Sequence, residues 1–234
     1  MRGVPFAVSW SGGKDSALAL LRALETGGRP LALLTVLDDS GTRSRSHGLR
    51  PEVLAAQAEA LGLPLWTARA SWATYEREFT ALLTRAEEAG AQAVVFGDID
   101  LQDHRDWEER VCAAAGVEAA LPLWQEPRRA LVEEGLRRGL RSRIVAVRED
   151  ALPADLLGGE LDAGLLDEIE RLGADPCGEG GEFHTVLVDG PGFRSPLTLH
   201  AGEIHREGGV AARASLRRSS SCSGVQGFIA TGSR

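Results

Sequence analysis

Ser11-Gly12-Gly13-Lys14-Asp15-Ser16 puts adjacent glycines, a lysine, a carboxylate and hydroxyls into one short stretch. An apolar run, Phe6-Ala7-Val8, leads into it, and Ala17-Leu18-Ala19-Leu20-Leu21 continues as a helical pattern. A strand, a glycine turn and a helix start together make an anion site. The glycines leave backbone N–H groups uncovered, the helix N-terminus adds partial positive charge, and Lys14 adds a full one. Such a site takes a phosphate chain. The spacing excludes a Walker loop, because Val8 stands where its first glycine would be and Asp15 follows Lys14. The dinucleotide fingerprint fails as well, since the glycines are adjacent and Ser16 replaces the last of them.

A second stretch, Asp175-Pro176-Cys177-Gly178-Glu179-Gly180-Gly181-Glu182-Phe183-His184-Thr185, interleaves glycines with glutamates. The glycines let the backbone bend so that Glu179 and Glu182 converge on one spot. Cys177 has no evident basic partner and His184 no companion ligands, so neither a thiol nucleophile nor a metal centre is read from them. Asp38 and Gly97-Asp98 fall at carboxyl ends of strands, where open parallel sheets place ligands. Asp38 is read either as a turn former or as a contact to ribose or magnesium, Asp98 either as a cap or as a nucleotide-site carboxylate. Gly97 would admit a ligand close to the backbone. His104 and Arg105, at a helix start, either reach phosphate or are solvated.

The elements that must position these residues follow from periodicity. Helices are predicted over 16–26, 51–61 and 74–89, and strands over 31–37 (buried), 63–68 (short) and 93–97, after the strand that opens the chain. Trp107, Val111 and Ala114 then mark the sheet-facing side of a further helix. This alternation implies an α/β fold, a doubly wound parallel sheet with right-handed crossovers. The rhythm changes after Leu123. A helix over 126–138, a strand over 143–147, an acidic helix over 161–172 and a strand over 186–189 make a smaller C-terminal α/β unit. The arginines between 128 and 143 read mainly as a solvated face. The predicted division is 1–124 for nucleotide binding, 125–206 for the unit with the Glu/Gly-rich loop, and 207–234 as a mostly disordered tail.

Composition narrows the class. The chain has 234 residues, a net charge of −8 and 34 acidic against 26 basic side chains, which argues against nucleic acid as a partner. Cys112, Cys177 and Cys222 are odd in number and widely spaced, so neither a disulfide framework nor a zinc knuckle is indicated and a reducing cytoplasm is expected. No apolar run is long enough to cross a membrane.

The first stretch resembles the signature of the PP-loop ATP pyrophosphatases (adenine nucleotide alpha hydrolase-like). Together with Gly97-Asp98-Ile99, Arg105, Trp107, Glu109-Arg110-Val111-Cys112, Pro122-Leu123-Trp124, the 178–185 loop and Asp189-Gly190-Pro191, it resembles the diphthine–ammonia ligase (diphthamide synthetase) family. Gly97-Asp98-Ile99 and Phe183-His184 look most like its bacterial branch. The resemblance implies ATP-dependent amidation of a carboxylate by ammonium, with release of AMP and pyrophosphate. The carboxylate is then diphthine on a protein or, for the bacterial branch, a metabolite such as a cobalamin precursor. It further implies that Lys14 and the backbone of Gly12 and Gly13 hold the pyrophosphate, that Ser11 and Ser16 donate hydroxyls, and that Asp15 with Asp98 positions Mg2+. Asp38, Gly97 and Arg105 join the nucleotide site, Glu179 or Glu182 takes a proton from ammonium, and a homodimer stays open. Two rival readings remain: a PP-loop tRNA-modifying enzyme, for which paired cysteines and a basic face are missing, and a nucleotide sensor without turnover.

Overall fold

The computed structural model describes residues 1–200, 202–213 and 217–218. Strand β1, Pro5–Ser9, buries Phe6, Ala7 and Val8 completely because strands lie on both sides of it and helices over both faces. α1 (Lys14–Glu25), β2 (Arg29–Leu37), α2 (Pro51–Leu61), β3 (Leu65–Arg69), α3 (Tyr75–Glu88), β4 (Ala93–Val95), α4 (Gln102–Ala114) and β5 (Glu118–Ala120) follow. The strands form one parallel sheet in the order β3-β2-β1-β4-β5. α1 and α2 pack on one face through Leu18, Leu20, Val53 and Leu54, and α3 and α4 on the other through Phe79, Leu82, Leu83 and Val111. The predicted doubly wound sheet is the observed one.

Two local readings change. The periodicity did not mark β5, whose three residues are too few to show a pattern. On α4 the inner face is Glu108, Val111 and Cys112, whereas Ala114 is exposed.

After α5 (Arg128–Arg137) a second sheet begins with β6 (Arg141–Arg148). α6 (Ala163–Arg171), β7 (Phe183–Asp189), β8 (Leu199–His200), β9 (Ile204–Glu207), β10 (Val210–Arg213) and β11 (Arg217–Arg218) complete the described elements. β7-β6-β10-β9 form an antiparallel sheet, and β11 pairs with β8. The tail expected from 207 onward is thus corrected for 207–213. Gly208 and Gly209, at φ 58° and 79°, make the two-residue turn that joins β9 to β10, and Ala211 is buried against β6. Residues 214–216 and 219–234, with Cys222, lie outside the described residues.

Gln57 on α2 ties the two sheets together. Fully buried, it accepts from Trp10 Nε1 (2.9 Å) and donates to the carbonyls of Gly12 (2.9 Å) and Leu187 (2.8 Å). Gln57→Ala leaves these buried partners unpaired, so a loss of about 2–3 kcal/mol is expected, read as a lower urea midpoint at unchanged slope.

Candidate active site

The strand order reverses direction between β1 and β4, and a cavity of about 670 Å3 opens there at the carboxyl ends of the strands. Ser9, Trp10 and Ser11 come from the end of β1, Leu34, Thr35 and Val36 from β2, and Phe96, Gly97 and Asp98 from the exit of β4. Lys14, Asp15 and Ser16 contribute the start of α1, whose N-cap residue, Gly13, has no side chain to cap it. The C-terminal unit closes the opposite side with Cys177, Gly178, Glu179, Phe183, His184 and Thr185.

Hydrogen bonds join the two sequence stretches directly. The Lys14 backbone N–H donates to Thr185 Oγ1 (3.1 Å), and Lys14 Nζ donates to the Cys177 carbonyl (2.5 Å) and to Asp15 Oδ2 (2.7 Å). The Leu187 N–H donates to the Gly12 carbonyl at 2.8 Å. Ser11 Oγ lies 3.1 Å from Ser16 Oγ and accepts from the Gly13 N–H, so these hydroxyls also hold the turn in shape. Burial works against the Lys14 ammonium, but Asp15 beside it and Glu179 beyond outweigh this and hold its pKa above the ordinary lysine value. Lysine has three donor hydrogens and two are bonded here, which leaves one for a phosphate oxygen.

The glutamates separate. Glu179 lines the cavity, while Glu182 is absent from its wall, its carboxylate lying over Gly180. The expected convergence of both carboxylates is therefore not what the loop builds. Burial, then the charges of Asp15 and Asp98, push the Glu179 carboxyl up to about 7. Its position is fixed by Asp175, whose Oδ2 accepts from the Glu179 N–H (2.8 Å) and whose Oδ1 accepts from the Cys177 N–H (3.1 Å). Arg128 clamps Asp175 (2.8 Å) on one side and Asp100 (2.7 Å) on the other, so this arginine does more than solvate a surface. Asp175→Ala is expected to lower turnover roughly 10- to 100-fold by loosening the loop under Glu179. Asp100→Ala, which removes a half-exposed partner, should cost less than about threefold in the same steady-state assay.

Other candidates are dispersed. Asp38 is used locally: its Oδ1 accepts from Ser40 Oγ (2.8 Å) and the Thr42 N–H (2.9 Å), the turn-former alternative, and it does not line the cavity. Arg105 is also outside, paired with Glu109 (2.6 Å) and lying over the Trp124 ring. Gly97 is required by the protein itself, because a Cβ there would sit 2.7 Å from the Ser16 backbone nitrogen at the start of α1. Asp98 lines the cavity, bonded to His104 Nδ1 at 2.8 Å. Burial would raise its carboxyl, but the hydrogen bonds from His104 and Glu108 keep it below its ordinary value.

Sequence reasoning missed Glu108. It is 4 % exposed, and burial followed by the Asp98 charge lifts its carboxyl far above the usual range, so it stays protonated at neutral pH. Its signal was a glutamate placed three and four residues before Val111 and Cys112, inside an apolar stripe. Also missed was an aromatic wall. Tyr75, Phe79 and Trp107 pack with ring centroids 5.3–6.1 Å apart, and Trp72, 72 % exposed, stands at the mouth under Arg45. His47 stacks on His184 (4.7 Å) and shares a 2.8 Å hydrogen bond with the Thr185 carbonyl; burial, then His184, lower its pKa to about 3, so Nδ1–H is the donor. Cys112 and Cys177 are buried thiols raised by desolvation and stay unreactive. No helix among the described residues is long and apolar enough to cross a membrane.

A doubly wound sheet with a glycine–lysine turn at its switch point, covered by a carboxylate loop, defines a nucleotide-binding α/β protein of the PP-loop kind. The chain matches the diphthamide synthase N-terminal domain over residues 4–119 and the diphthamide synthase C-terminal domain over 128–214. It belongs to the diphthamide synthase family. Similar proteins include the diphthine–ammonia ligases of Danio rerio (29 % identity, 88 % of this chain and 91 % of that protein) and Rattus norvegicus (27 %, 89 % and 88 %). That of Schizosaccharomyces pombe is 25 % identical over 86 % of this chain but only 37 % of its own length.

Proposed function

We propose that this protein is an ATP-dependent ammonia ligase that adenylates a carboxylate and then amidates it. The observation that carries the reading is the bonding of Lys14, in the phosphate turn, to the loop that holds Glu179, within one cavity. Residues 1–124 bind the nucleotide, and residues from 125 through β10 supply the carboxylate loop.

A carboxylate does not accept ammonia at neutral pH, because its oxygen is a poor leaving group. Its attack on the α-phosphorus of ATP breaks the bond to pyrophosphate and turns that oxygen into part of AMP. Lys14 and the N–H groups of the glycine turn stabilise the charge that develops on the departing pyrophosphate. The wall of Leu34, Val36, Phe79 and Phe96 suits a planar base. Glu179 takes one proton from ammonium, freeing the lone pair that forms the C–N bond. The tetrahedral adduct then expels AMP and releases a second N–H proton to water.

Magnesium fits beside Asp15 alone. That carboxylate lines the cavity at the phosphate turn, and Mg2+ commonly takes one or two carboxylates and completes its shell with phosphate oxygens and water. Asp98 does not fit, since His104 and Glu108 already occupy its oxygens. Bound there, the ion would neutralise phosphate charge. A reaction run on ATP and ammonium suits the cytoplasm.

The relatives' name makes diphthine the first carboxylate to test. Incubation with ATP, ammonium and a diphthine-bearing elongation factor, or a metabolite pool, should give AMP, pyrophosphate and a product in which OH is replaced by NH2. ADP with inorganic phosphate would contradict the reading.

A further inference from the structure

On the β4–α4 side of the cavity, Tyr75, Asp98, His104 and Glu108 line one patch, and the charge of Asp98 reaches Glu179. His104 holds Asp98. Glu108 is 4 % exposed, and its Oε2 has no donor among the described residues. The two carboxyls lie within hydrogen-bonding reach of each other, and two such acceptors stay together only with a proton or another cation between them. A buried carboxyl oxygen without a donor, in a cavity wall beside aromatic faces, suits a small cation that can donate hydrogen bonds.

We infer that the Asp98–Glu108 pair is the ammonium site of this enzyme, both carboxyls accepting N–H groups. The inference rests on the ligase reading and names where its nitrogen substrate waits. Ammonium supplies up to four directed donors, which matches Glu108 Oε2 and the Asp98 oxygen that the Glu108 proton vacates better than a bare sodium ion does. The proton that the pair now shares leaves to water as ammonium enters, so the charge of the buried patch does not change. The cavity then divides its work: Lys14 and the glycine turn take the anion, this patch takes the cation, and Glu179, which lines the same cavity and feels the Asp98 charge, takes its proton.

Crystals of the full chain soaked in rubidium chloride provide an electron-dense ion of ammonium size. A rubidium peak between Asp98 and Glu108 is expected, weakened by ammonium chloride but not by sodium chloride, and lost in Glu108→Gln. Absence of that peak in the unaltered protein, or a peak indifferent to ammonium, would overturn the assignment. In turnover, Glu108→Gln should raise the KM for ammonium roughly 10-fold with the KM for ATP unchanged, the loss of one charge-assisted hydrogen bond. An unchanged ammonium KM would equally overturn it. If no carboxylate supports AMP formation, the ligase reading fails, and the rubidium soak still decides the cation site.

Discussion

Lys14→Ala is expected to lower AMP and pyrophosphate formation roughly 100-fold or more, the usual cost of removing one preorganised charge stabiliser. Lys14 is the cation placed at the start of α1, where the helix N-terminus and the glycine turn already favour an anion. Its charge acts late, on the departing pyrophosphate, so kcat should fall more than the affinity for ATP. The side chain also bridges to the Cys177 carbonyl, so the variant also removes one of the bonds that join the two halves of the site. A separate measurement of ATP binding by calorimetry distinguishes the roles. A large loss of affinity with little change in kcat would make Lys14 a tether between the loops and remove it from the chemical step.

The second large effect belongs to Glu179→Gln. Nucleotide binding should persist, while amide formation falls roughly 100-fold or more, as general-base loss typically does. The pH dependence supplies the sign. Burial, with Asp15 and Asp98, raises the Glu179 carboxyl to about 7, and only its ionised form accepts a proton from ammonium. Turnover should therefore climb as pH rises through about 7 and level off above it, and the Gln variant should lose that ascending limb. Glu182→Gln, outside the cavity wall, should retain the limb. An identical pH profile in all three proteins would exclude Glu179 as the base.

Much of this arrangement can be read from the chain, for reasons that are local. A glycine turn between an apolar strand and an amphipathic helix is defined by neighbours in sequence, and so are α2, with Pro51 at its start and Gly62 at its end. What escapes is tertiary. Nothing local distinguishes Glu179 from Glu182; the difference arises because Asp175, anchored by Arg128 from α5, turns the 177–181 backbone toward the cavity. Glu108 acquires its character only when α4 packs against the sheet and brings it to Asp98. The aromatic wall draws Trp72, Tyr75 and Phe79 from around α3 and Trp107 from α4. The Gly208-Gly209 hairpin was locally legible, but short polar strands on either side of it hid the pairing with β6.

Transfer of oxygen tests the central claim most directly. When the acceptor carboxylate is labelled with heavy oxygen and turned over with ATP and ammonium, attack at the α-phosphorus places one labelled oxygen in the phosphate of AMP. Label found instead in inorganic phosphate, with ADP as the nucleotide product, would contradict it.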